Sequence, residues 1–185
     1  REVLQTKLIN LKIELTELHD NFRKILVSNL KNSGKSNYHR KLLLVFVELV
    51  ALLETAIANP VNYNKMDVLF ETHPEFKADF QKLISEFSFQ LRAIANQINN
   101  SKKISSNKVL FNEFKNLELD ILNVKDETKS EDYERYLMLQ NFLDYQKKQF
   151  EKLKKIKWLL GNPELTSAEL VPTDELKRFI NTQDY

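Results

Sequence analysis

Glu48 is the only ionisable side chain in the twelve-residue run Leu42–Leu53, LLLVFVELVALL. A carboxylate in such surroundings is costly unless it is paired. Two chemistries fit it. One is a proton-coupled or ligand-binding carboxylate. The other is a narrow polar strip on an otherwise apolar helix, shared with Glu54 and turned toward a lysine, an arginine or water. Glu48 and Glu54 are therefore the candidate buried polar residues. The three histidines, His19, His39 and His73, fall in different segments, and none belongs to a His-Glu-x-x-His pair. His19 with Glu17 and Asp20 could offer metal ligands, but a solvated helix face accounts for the same spacing. Di-iron bundles need Glu-x-x-His motifs on facing helices, and none occurs. Gly34-Lys35-Ser36 has the ending of a phosphate-binding loop, yet Asn29 stands where its first glycine should be. Lys147, Lys148, Lys152, Lys154, Lys155 and Lys157 crowd eleven residues just before Trp158. Three readings compete for them: a solvated face complementing the helix dipole, contact with an anionic lipid surface, and nucleic acid. The six lysines are the candidate membrane-surface contact.

Composition narrows the classes. The 185 residues hold only two glycines and four prolines, which argues against an all-β fold or a glycine-rich nucleotide loop. A net charge of +2 gives no whole-molecule field for nucleic acid, and no nucleic-acid partner is expected. The absence of cysteine removes disulfides, thiol nucleophiles and cysteine-type zinc sites. No catalytic, metal or cofactor signature remains, so neither an enzyme nor a cofactor is expected. The chain has no initiating Met, starts in mid-pattern at Arg1, and reads as a piece of a longer protein.

These side chains must be positioned by helices. Leu4, Leu8, Leu11, Leu15, Leu18, Phe22 and Ile25 alternate spacings of four and three, predicting a first helix over Glu2–Leu30. Whether that stripe packs inside the domain or against a second copy is open. Gly34 is its expected stop. The apolar run predicts a second helix, Tyr38–Ala58, closed by Asn59-Pro60. A run of twelve residues is too short to cross a bilayer, which takes about 20 apolar ones. They are too many for one surface stripe, so this helix is expected at the centre of the packing. Asn62 or Asn64 should cap a short third helix. Thr72-His73-Pro74-Glu75 reads as a capping box opening a fourth, with its stripe from Phe76 to Ile98. Ser105 or Ser106 should cap a fifth, Leu110–Val124. A sixth runs from Ser130 to Leu160 and stops at Gly161-Asn162-Pro163. Thr173 should cap a short helix to Ile180. The expected fold is all-α: one bundle over 1–185, of about five main helices plus short ones, with 164–185 as an extension.

The stretch Arg40-KLLLVFVELVALLETAIANPVNY-Asn64, then KMDVLF, then FKADFQKLISEFSFQLRAIANQI, resembles the soluble central region of YccS-like membrane proteins of the FUSC superfamily. These are related to fusaric acid resistance proteins and aromatic acid exporters. The order of landmarks agrees along nearly the whole chain: Glu54, Tyr63, Phe80 to Leu83, the Leu110–Val124 helix and Leu137 to Leu143. The ending, Glu175 to Tyr185, resembles the segment leading into a second set of transmembrane helices. The pattern departs at Ala51 and Pro60, where family members often carry Asp and His. The resemblance implies an inner-membrane transporter with two transmembrane halves as this segment's partners, and a cytoplasmic domain between them serving assembly or regulation. A free-standing helical interaction or nucleic-acid-binding module is the alternative.

Overall fold

The computed structural model describes residues 2–33, 37–58, 62–100, 108–125 and 130–162. Among them are six helices and no strand: α1 (Glu2–Ser33), α2 (Asn37–Ile57), α3 (Tyr63–Thr72), α4 (Pro74–Asn100), α5 (Lys108–Lys125) and α6 (Ser130–Gly161). The all-α expectation holds. The expected stops at Gly34 and Asn59-Pro60, the caps at Ser105 or Ser106, Pro163, and the Thr173–Ile180 helix lie outside the described residues.

Local chemistry sets the ends of α3. Asn62 sits in extended backbone at φ −79°, ψ 96°, and its side-chain oxygen accepts the Lys65 N–H at 3.2 Å. That satisfies one of the amides a helix start leaves open. The His73 N–H closes the other end on the Leu69 carbonyl at 2.9 Å. Pro74 then opens α4, where its missing N–H costs nothing. The capping box is corrected in one respect. Thr72 is the last residue of α3, and its hydroxyl donates backward to the Leu69 carbonyl at 2.9 Å. The side chain that reaches Glu75 is His73, with Nδ1 3.0 Å from Oε1.

The chain divides into two compact units, Arg1–Ile57 with Trp158–Tyr185, and Ala58–Lys157. Nothing in the periodicity marks that division, and the last turn of α6 is counted with the first unit. In the larger unit the predicted stripes become the core. Phe76, Phe80, Leu83 and Ile94 of α4 are buried, as are Leu110, Phe114, Leu117 and Ile121 of α5. Leu139, Leu143, Leu153 and Ile156 of α6 have no exposed surface at all. Phe80 meets Phe142 with ring centroids 4.5 Å apart, and Phe114 meets Phe150 at 5.0 Å. Such tilted aromatic pairs add about 0.5–1.5 kcal/mol each to the gain from burial.

In the smaller unit α1 and α2 pack through Leu26, Leu43 and Phe46, with Leu42 and Val50 against them. Phe46 takes the edges of Phe22 at 5.4 Å and His19 at 5.6 Å. The Lys41 ammonium donates to the Asn162 carbonyl at 3.0 Å, just past the end of α6. The expectation that α2 is the apolar centre of one bundle is not supported. It lies in the smaller unit, and Val47, Leu49, Val50, Ala51 and Leu53 keep part of their surface open. Apolar composition measures how much surface a helix must cover, not where in the fold it sits. Helices α4 and α5, less apolar overall than α2, supply much of the larger unit's core through those of their apolar residues that share one face.

Helix α1 shows the largest departure from a packed stripe. Leu4, Leu8, Leu11, Leu15, Leu18, Phe22 and Ile25 are 40–72% exposed. Among its described side chains the buried ones, Leu26 and Val27, lie toward its C-terminal end.

Candidate functional site

The lysine-rich end of α6 is not one surface. At 100° per residue, Lys148, Lys152 and Lys155 share a face, while Lys147 and Lys154 sit about a quarter-turn away. Lys147 is half-buried and donates to Glu118 of α5 at 2.7 Å. Lys154 pairs with Glu151 at 2.7 Å and lies 5.2 Å from the centre of the Phe150 ring. Lys148 and Lys155 are exposed, and Lys152 is partly so.

Lys157 departs from the surface reading altogether. It is 4% exposed and donates to the Gln90 side-chain carbonyl of α4. Gln90, itself 3% exposed, donates onward to Glu86 Oε1 at 2.6 Å. The result is a Lys–Gln–Glu relay between α4 and α6, buried at Lys157 and Gln90 and partly open at Glu86. Burial pulls the Lys157 ammonium below its ordinary range, and the Glu86 carboxylate partly offsets that. As a membrane-surface contact Lys157 is therefore corrected: its ammonium is spent inside the unit. Position was the available signal, because Lys157 adjoins Ile156 and lies one turn past Leu153. Gln90 and Glu86 carry no sequence signal of their own, because the apolar stripe of α4 runs through other residues.

The two candidate buried carboxylates separate. Glu48 is 2% exposed and has an interaction within the fold. Glu54 is exposed, so its reading as a buried polar residue is corrected. Six residues along a helix are 600°, which places the two on different faces rather than one strip. His19 packs on Phe46, and burial lowers its affinity for a proton, with Asp20 working the other way. No group of three His, Asp or Glu side chains among the described residues could hold a metal ion.

On the outer side of the larger unit, α4 and α5 bring several charges together. Lys82 pairs with Glu113 at 2.8 Å. Asp79 nearby is pushed above the usual carboxylate range, first by partial burial and then by Asp120. Its folded-state pKa exceeds its unfolded value, so ionisation at neutral pH works against folding, and that cost disappears as pH falls through the folded pKa. Asp79→Asn should therefore raise stability at pH 7 by no more than about 0.5 kcal/mol, given solvent screening. The gain should vanish toward pH 3, as read by denaturant titration at both values.

An open groove between α3 and α6 is lined by Val68, Leu69 and Met138, with Lys65, Glu134 and Arg135 around them. Lys65 and Glu134 close on each other at 2.7 Å across it. That ion pair lowers the Glu134 carboxyl through its hydrogen bond and its charge. The described residues thus offer packing surfaces, a buried relay and ion pairs between helices. None of their helices is long and apolar enough to cross a membrane.

A family model described as FUSC-like inner membrane protein yccS matches residues 1–156. No curated protein and no solved structure matches the chain.

Proposed function

The chain belongs to the FUSC-like family of inner membrane proteins, and from that membership we propose that it is the assembly segment of an inner-membrane transporter, held on the cytoplasmic side of the bilayer. The observation that carries the reading is the family match over residues 1–156 in a chain whose described helices are all unsuited to crossing a membrane. Spanning therefore falls to other parts of a longer polypeptide, and this segment packs, joins and positions them. Its surfaces suit that task better than a chemical step. The charged pairs tie neighbouring helices together, and the buried relay is closed between α4 and α6.

The experiment is fractionation of the longer gene product and of the 185-residue chain, each with carbonate extraction. The longer protein should stay in the inner-membrane pellet after extraction, and the chain alone should stay in the supernatant. A longer protein that washes off the membrane would defeat the reading and favour a free-standing interaction module.

Within this reading, the Lys148, Lys152 and Lys155 face is the contact for anionic headgroups. Each lysine near such a surface gains about 1 kcal/mol, and salt screens that gain over a Debye length of about 10 Å at 0.1 M. The chain should bind phosphatidylserine vesicles at low salt and leave them at roughly 0.5 M, where screening is shorter. Replacing the three lysines by glutamine should abolish binding, and Lys157→Gln should not change it. Binding that survives the triple replacement would remove this face from the account.

A further inference from the structure

The heptad stripe of α1 is laid out for a helix it does not meet among the described residues. Its spacing is strictly four and three from Leu4 to Ile25, an average of 3.5 residues. That is the repeat of a left-handed coiled-coil seam, narrower than the 3.6-residue stripe of a helix lying on a globular core. Among the described residues, α1 is sealed against α2 toward its C-terminal end, by Leu26, Leu43 and Phe46. Towards the N-terminus Leu4, Leu8, Leu11 and Leu15 stand 72%, 50%, 51% and 40% exposed. The helix is thus already ordered by its far end, and a partner need not supply the cost of nucleating it.

The flanking charges select the partner and its direction. With Leu8 and Leu15 at position a and Leu4 and Leu11 at d, Lys7 and Glu14 fall at g and Lys12 falls at e. In a parallel pair each g residue faces the e residue five positions on, which sets Lys7 against Lys12 of the second copy. That contact is repulsive. In an antiparallel pair g faces g. When Leu8 packs on Leu11 of the second copy, and Leu4 on its Leu15, each Lys7 faces the other copy's Glu14. The two-fold axis makes this attraction twice. Lys7, Leu11 and Glu14 also line one open groove along α1.

We propose that two copies of this chain associate through the N-terminal half of α1 as a short antiparallel coiled coil, with Leu4, Leu8, Leu11 and Leu15 in the seam and Lys7–Glu14 pairs across it. This supplies a partner for the assembly reading and rests on that reading only for its setting; association of the chain and membrane residence of the longer protein are measured separately. Two heptads are fewer than the three or four of a self-sufficient coiled coil, so half-association is expected on the order of 0.1 mM.

Sedimentation equilibrium of the 185-residue chain from about 10 μM to 1 mM tests it across that range. The parent should pass from monomer to dimer. Leu8→Glu and Leu11→Glu should remain monomeric with unchanged helical circular dichroism and melting. Lys7→Glu alone and Glu14→Lys alone should each weaken the dimer about tenfold, and Lys7→Glu with Glu14→Lys should restore it. A parent that is monomeric throughout would overturn the proposal. So would a Lys7→Glu dimer tighter than the parent, which signals a parallel pair. A monomer whose melting falls with Leu8→Glu would also overturn it, because the stripe would then be covered within one chain.

Discussion

Phe46→Ala is expected to cost about 3–5 kcal/mol, enough to remove most of the stability of an ordinary domain. Phe46 is 2% exposed, sits in the Leu26–Leu43 cluster, and holds the ring edges of both Phe22 and His19. Truncation loses the transfer energy of the ring and leaves a cavity that two helices cannot close without losing their contact. Phe22 is the control. It touches the same ring but is 44% exposed, so Phe22→Ala should cost well under half as much. Urea titration of both variants, with hydrogen exchange along α1 and α2, measures the difference. Equal losses would show that α1 is held by something other than Phe46.

The Lys157–Gln90–Glu86 relay gives the second large effect. Gln90→Leu takes one acceptor from a buried ammonium and should cost about 3 kcal/mol at pH 7, in the range for breaking one side of a buried charged contact. Lys157→Met removes the charge and fills its stem's volume. Adding it to Gln90→Leu should therefore recover most of the loss. The pH dependence has a definite sign. Burial lowers the folded-state pKa of Lys157 below the ordinary lysine value of 10.5. Between those two values the unfolded chain binds more protons than the folded one, so stability contributed by this group rises with pH across that window. Gln90→Leu should steepen the rise, and Lys157→Met should remove it. A double variant no better than Gln90→Leu alone would mean that the relay is not the source of the cost.

The helices themselves were legible, because spacing by three and four is a direct consequence of 3.6 residues per turn. The cap of α3 was legible as Asn62 or Asn64, because a short polar side chain before a helix has one ready use, and the structure selects Asn62. Thr72 was misassigned because the same hydroxyl can serve the end of one helix as well as the start of the next. The polar residues that face inward were harder to find. Lys157 belongs by composition to a basic run and by angle to a core face, and only a tertiary neighbour such as Gln90 decides between them. Glu48 and Glu54 show the same limit from the other side: similar residues in one helix, one buried and one exposed. The centrality of α2 was read from hydropathy, which carries no information about how a chain divides into units.

Where the segment sits relative to the bilayer is the centre of the account, and the cysteine-free composition of the chain allows it to be measured directly. Asn141→Cys places a thiol on an exposed position of α6 in the longer protein, with cysteines elsewhere in that protein replaced. Spheroplasts are treated with a membrane-impermeant maleimide before and after the inner membrane is opened. The account predicts labelling only after opening. Labelling of sealed spheroplasts would place the segment on the opposite side and contradict it.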